Sequence, residues 1–308
     1  MIATVTLNPA VDKTYTVTRL IPGQVNRMKS SVNIAGGKGI NVTKILRQYD
    51  YPVMALGFLG GYAGRFIADY VDSIHAKCRF TEVRDETRSS INILAEDGYV
   101  TEILEPGPEI DIPELEAFYQ AYEEAIGKCE AIVLSGSAPK GVPTDIYATL
   151  IERAESLGKR VILDTSGDYL VEGIKAKPYM VKPNLKELEY LVGHKIKNNA
   201  EVAEAARGLV EKGIANVLVS MGNKGLIYAD KEAVLYAKAP KVKVVNTVGC
   251  GDSAVAAFCM AMLEEDDRYK IMRKALAISA ANATTLESAV IPKEYAEELM
   301  EQVMISEL

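Results

Sequence analysis

The chain has 308 residues, 48% of them hydrophobic and 25% charged, with a formal net charge of −7. That length and apolar content can bury a large core without disulfides or structural metal, and an acidic balance with no basic stripe argues against a nucleic-acid partner. No apolar run is long enough to span a membrane.

Short apolar runs rich in β-branched residues predict strands at 2–7, 53–59, 131–135, 160–164, 179–182 and 216–221, with helical patterns at 39–49, 112–126, 144–157 and 200–212. Strands alternating with helices imply an α/β fold: a mostly parallel sheet covered on both faces, with ligands at the carboxyl ends of the strands. Two regions break the rhythm. Residues 14–20 with 30–34, and 89–95 with 100–104 around Glu96-Asp97-Gly98, read as strands without crossover helices. They predict a small antiparallel sheet, projecting as a lid built from about 12–35 and 88–105. Its apolar face would need cover, from substrate or from a second copy of the chain, so a homodimer through the lid is expected. After Gly249 the chain reads as helical from Asp252 to about Glu264 and from Tyr269 to Thr285. No repeat or linker interrupts it, and one domain, 1–308, is the simplest organisation. Four cysteines (Cys78, Cys129, Cys250 and Cys259) lack CxxC spacing, which fits a reducing cytosol better than a disulfide framework or a zinc site. MIATVTLNPAVD carries no leader pattern, and a cytoplasmic location is expected.

Three motifs carry chemistry. In Asn246-Thr247-Val248-Gly249-Cys250-Gly251-Asp252-Ser253, two glycines let the backbone bend around a ligand at the start of an apolar helix. The free N–H groups and positive dipole end of that helix suit a phosphate, and Asp252 could take a proton from an attacking hydroxyl. The same pattern also reads as an ordinary helix start capped by Asp252 or Ser253. In Ala35-Gly36-Gly37-Lys38-Gly39-Ile40-Asn41, glycines and a lysine open another helix, which suits an anion or is simply a flexible turn. This is neither a Walker A loop nor a GxGxxG dinucleotide fingerprint, which disfavours a dehydrogenase. In Lys182-Pro183-Asn184-Leu185-Lys186-Glu187, Asn184 and Glu187 lie three apart at a helix start. They could serve a hydrated Mg²⁺ or form a capping box.

Taken together, an early GGKGxN, a middle NxxE and a late GxGD resemble, in order and spacing over nearly the whole chain, the ribokinase-like phosphofructokinase-B (PfkB) sugar kinases. The resemblance implies the ribokinase-like three-layer fold and ATP-dependent phosphorylation of a sugar hydroxyl. It assigns Gly249, Cys250 and Gly251 to the anion hole and Asp252 to the general base. Cys250 stands where that family usually has alanine or serine. The same resemblance gives the sugar contacts to Asp12, Gly36, Gly37, Asn41 and Ser137. It gives the acceptor's own phosphate to Lys38 and Arg88, with Arg27 placed to reach a neighbouring subunit's substrate. ATP falls to Lys182, Asn184, Glu187, Ser220, Gly222, Gly225 and Asn282, with Mg²⁺ near Glu187 through water and K⁺ left open. Two cations toward the acceptor favour a phosphorylated sugar. The stretches ETRSSINIL, TEILEPGPEI and LDTSGDYL look most like tagatose-6-phosphate kinases. 1-Phosphofructokinases are the close alternative, and fructose 6-phosphate a further acceptor. An inactive sugar-phosphate sensor is the alternative of a different class.

Overall fold

The computed structural model describes all 308 residues. Its main sheet runs, from one edge, Ile305–Glu307, Val234–Ala237, Leu226–Ala229, Asn216–Ser220, Met180–Val181, Arg160–Asp164, Ala131–Ser135, Ile2–Thr6, Val53–Leu59 and Lys77–Cys78, with Thr81–Glu82 also pairing with Val53–Leu59. Every pairing from Asn216–Ser220 to the Lys77 edge is parallel, and the three strands beyond Asn216–Ser220 pair antiparallel.

Successive side chains of a strand point to opposite faces, and the apolar runs exploit this. In Ala131–Ser135, Ala131 and Val133 enter one core while Ile132 and Leu134 enter the other. Strands buried on both faces must be apolar at every position, which is why these runs read as unbroken rather than alternating. Helices Lys38–Gln48, Gly61–Ser73, Cys250–Leu263, Arg268–Asn282 and Lys293–Gln302 cover the first face. Helices Ile112–Ile126, Ile146–Glu155, Gly167–Gly173, Leu185–Val192 and Asn199–Glu211 cover the second. The three layers are those expected from the sequence. Cys250–Leu263 is buried from Asp252 to Met262. Being apolar on all sides, it can only be an interior helix, and its position is set by packing rather than by its own polar surface.

A separate four-stranded sheet has the order Ser30–Gly36, Ala10–Val17, Arg88–Ala95, Val100–Leu104. Both outer pairings are antiparallel, as the sequence implied, but the central pair of Ala10–Val17 with Arg88–Ala95 is parallel. The chain between those two strands passes through the main layers and returns in the same direction, a relation that no local pattern encodes. The first strand also begins earlier than read, at Ala10, so Asp12 sits within a strand rather than on a turn. Val32, Leu94, Val100, Ile103 and Leu104 of this sheet are exposed.

Candidate active site

The carboxyl ends of Ile2–Thr6, Ala131–Ser135 and Arg160–Asp164 converge with the amino ends of Lys38–Gln48 and Cys250–Leu263. Four buried side-chain oxygens with no hydrogen-bond partner gather here: Thr6 Oγ1, Asn8 Oδ1, Asn41 Oδ1 and Ser135 Oγ. Buried polar atoms are normally satisfied, so such a concentration marks where a ligand completes the bonding.

Helix Cys250–Leu263 starts from Gly249, whose φ of 83° is left-handed and suited to glycine. No side chain caps this helix. The Cys250 N–H reaches Thr247 O at 3.3 Å, and the N–H groups of Gly251 and Asp252 have no acceptor within the chain. Two free amides at a helix amino end form an anion cradle. Asp252, 4% exposed, lies at its mouth. Its Oδ2 accepts a 2.8 Å hydrogen bond from Asn41 Nδ2, and Lys38 Nζ stands 3.7 Å from Oδ1. Burial raises its pKa above the ordinary carboxylate value, with Lys38 the main opposing charge.

Lys38 is turned toward Asp252 and toward Asp164, whose Oδ2 it meets at 3.0 Å. Asp164 is fully buried, and its other oxygen lies 3.2 Å from Lys182 Nζ. Burial tends to raise the Asp164 carboxyl, but Lys182 and Lys38 outweigh it and hold the group below its usual range. Burial likewise works against the Lys38 charge, and the two aspartates overcome it, so its pKa is raised. Lys182, 3% exposed, sits under the cradle, where a side chain on Gly251 would begin 3.2 Å from its Nζ. Asp164 was given no role on the sequence. It appears there as the last residue of a strand and within LDTSGDYL.

Asn184 and Glu187 form the reciprocal capping box, with Asn184 N–H to Glu187 Oε2 at 2.7 Å and Glu187 N–H to Asn184 Oδ1 at 2.9 Å. Burial raises the Glu187 pKa above its ordinary value. Ser220 is brought beside this box, its N–H donating to Pro183 O at 3.0 Å, with Gly222 and Gly225 in the turn that follows. The donor set fits a hydrated Mg²⁺. Glu187 keeps Oε1 outside its cap, the Asp164 carboxylate is buried between Lys38 and Lys182, and such an ion takes few protein ligands.

Toward the small sheet, Asp12 packs so closely on Gly36 that a side chain there would begin 2.0 Å from Asp12 Oδ2. Burial raises the Asp12 pKa against the charges of Lys44 and Arg88. Gly37, at φ 106°, caps the start of helix Lys38–Gln48. Arg88 spends three donors on main chain, Nε and Nη2 on Asn8 O and Nη1 on Glu105 O, which leaves two N–H free. Ser137 is exposed, next to Gly136, where an added Cβ would stand 3.8 Å from Lys38 Cβ. Arg27 lies in the exposed loop between two strands of the small sheet and bonds to nothing in its own chain. Asn282 is buried and bonded at both ends of its amide, to Val248 O at 2.8 Å and from Ala289 N–H at 2.8 Å, so it braces the cradle turn rather than standing free. Cys250 is half-buried, and burial raises its thiol pKa.

Comparison with known proteins identifies the family. The pfkB family carbohydrate kinase profile matches residues 5–294. A Staphylococcus aureus protein provisionally assigned as a phosphofructokinase is 33% identical, with 100% of this chain and 99% of that one covered and a TM-score of 0.87. Phosphofructokinase-2 from Escherichia coli, solved in complex with potassium, is 28% identical over 98% of each chain, with a TM-score of 0.91. A Thermotoga maritima protein provisionally assigned as a 1-phosphofructokinase is 26% identical over 100% and 99%, with a TM-score of 0.90. The chain belongs to the pfkB family of carbohydrate kinases, enzymes that move a phosphoryl group onto a sugar hydroxyl.

Proposed function

We propose that the acceptor is a ketohexose monophosphate, with tagatose 6-phosphate converted to the 1,6-bisphosphate at the expense of ATP. The carrying observation is the buried Asp252 carboxylate at the mouth of an amide cradle, with Lys38 beside it. Gly249 and Gly251 shape that cradle, and the amides of Gly251 and Asp252 donate to the travelling phosphoryl group. Asp252 orients the acceptor hydroxyl and takes its proton. Lys38 lies at the reacting end, so its ammonium serves the charge on the transferring group. The acceptor's own phosphate then falls to the free N–H groups of Arg88 and to Arg27 from across a dimer. Asp12, Asn41, Gly36, Gly37 and Ser137 take the sugar. Lys182, Asn184, Ser220, Gly222 and Gly225 border the nucleotide phosphates. Mg²⁺, held near Glu187 and Asp164, would supply further neutralisation of those phosphates. The small sheet acts as a lid on one kinase domain, its closure keeping water from the phosphoryl group. The four free cysteines and the absence of any helix able to cross a membrane fit a cytoplasmic location.

The names of the relatives favour a second reading, with fructose 6-phosphate or fructose 1-phosphate as acceptor. A coupled ADP-release assay across the three sugar phosphates separates them. Tagatose 6-phosphate is expected to give the highest kcat/KM, and a tenfold or greater preference for either fructose phosphate would replace it.

Asp252→Ala is expected to lower kcat on the order of 10²–10⁴-fold with ATP affinity nearly unchanged. Near-full turnover would remove Asp252 from the role of base. The pH dependence has a definite sign. The base works deprotonated, so activity is present above its pKa and lost as pH falls through it. Because burial raises that pKa, the acid limb of kcat/KM lies above the ordinary aspartate range. Lys38→Met removes the main charge opposing that rise and should move the limb to still higher pH. A limb that stays put would separate Lys38 from the base.

The exposed apolar residues of the lid predict a dimer through that sheet. Light scattering should find twice the 33.5 kDa chain mass, and Ile103→Asp should halve it. A monomeric parent protein would refute this.

A further inference from the structure

The loop of residues 283–291 lies against the cradle turn, where a side chain on Gly249 would begin 3.2 Å from the Ala289 nitrogen. Ala289 is fully buried and has a φ of 62°. A residue bearing a Cβ is disfavoured in this left-handed region, and such strain persists only where its surroundings impose it. Here two side-chain amides do so. Asn282 Oδ1 accepts the Ala289 N–H at 2.8 Å. From the opposite side, Gln48 Nε2 donates to Ala289 O at 2.6 Å, and Gln48 Oε1 accepts the Ile291 N–H at 2.9 Å. The peptide groups flanking Ala289 are therefore gripped at both ends.

Both grips lead to the reacting groups. Asn282 Nδ2 donates to Val248 O at 2.8 Å and lies 3.4 Å from Cys250 Sγ, so it ties the Ala289 peptide to the turn that presents the free amides. Gln48 ends the helix Lys38–Gln48, and two turns earlier on the same face Asn41 donates to Asp252. One helix thus contacts the carboxylate at one end and, through Gln48, Ala289 and Asn282, the cradle at the other.

We propose that Gln48 is a positioning residue for phosphoryl transfer: by holding Ala289 left-handed it fixes, through Asn282, the register of the Val248–Cys250 turn against Asp252. Gln48 acts through other groups and needs no contact with nucleotide or sugar. The inference rests on the kinase reading above. It predicts a loss in turnover rather than in substrate binding, because a displaced cradle misplaces donors for the transition state.

The test compares the parent enzyme, Gln48→Ala, and Gln48→Ala combined with Ala289→Gly, by steady-state kinetics and by hydrogen exchange of the bonded Val248 and Cys250 amides. Gln48→Ala should lower kcat about tenfold with the sugar-phosphate KM within about twofold, and should speed exchange at the turn. Glycine adopts positive φ without a clamp, so the double variant should recover kcat to within about threefold of the parent and restore slow exchange. Unchanged kcat and exchange in Gln48→Ala would overturn the proposal, as would a folded double variant that recovers neither. Gln48→Glu keeps the acceptor for Ile291 and loses the donor to Ala289, and it carries the same test if the alanine variant does not fold. A parent enzyme inactive on every sugar phosphate would count against the functional reading instead, and the exchange measurement would still decide the role of Gln48.

Discussion

The proposed base, a carboxylate that must give up its water and still accept a proton, sets the terms for the rest of this molecule. Asp252 lies at the amino end of an interior helix, where packing on all sides excludes solvent. Burial alone would keep it protonated and useless as a base. The surrounding groups offset that tendency. Asn41 donates to one oxygen, Lys38 approaches the other, and the helix amides add positive field. Lys38 in turn is held by Asp164, which also holds Lys182 under the cradle. Lys182 and the two carboxylates are buried while Lys38 reaches them from a partly exposed position, so neither sign dominates before a ligand enters. Buried ion pairs of this kind add little to stability, since desolvation consumes most of the attraction. In the proposed reaction their value lies in presenting fixed charge to a phosphate without reorganisation.

The layers were legible from the chain because burial on both faces forces unbroken apolar runs, and because helices of 10 to 15 residues repeat between most of them. Local glycine chemistry also marked both helix starts that flank the site. Relations between distant segments were not legible. Asp164 closes an ordinary strand, RVILD, and its meaning comes from Lys38, 126 residues away, and from Lys182. The parallel pair at the centre of the small sheet depends on how the chain returns after more than seventy residues, so the two hairpin-like halves were visible and their joining was not. Lys77–Cys78 is a strand of two residues, too short to show any period. Helix Gly61–Ser73 opens with Gly-Tyr-Ala-Gly, residues that weaken a helical pattern, and packing against Val53–Leu59 and the Lys77–Cys78 edge supplies what propensity does not.

The NxxE segment shows why a bland and a chemical reading of one motif need not compete. The capping box forms in full, so the structural reading is correct as far as it goes. Yet a cap engages only one Glu187 oxygen, Oε2, and in doing so removes the rotamer freedom of a long side chain. A carboxylate already locked by its own backbone loses little further entropy when an ion or phosphate network forms around its other oxygen. The same economy governs Asn282, Gln48 and the cradle: side-chain amides are spent on main chain so that backbone N–H groups, which cannot change rotamer, remain as the donors facing the ligand. Precision at this site therefore comes from tying the backbone down first and leaving few mobile side chains to be ordered during the reaction.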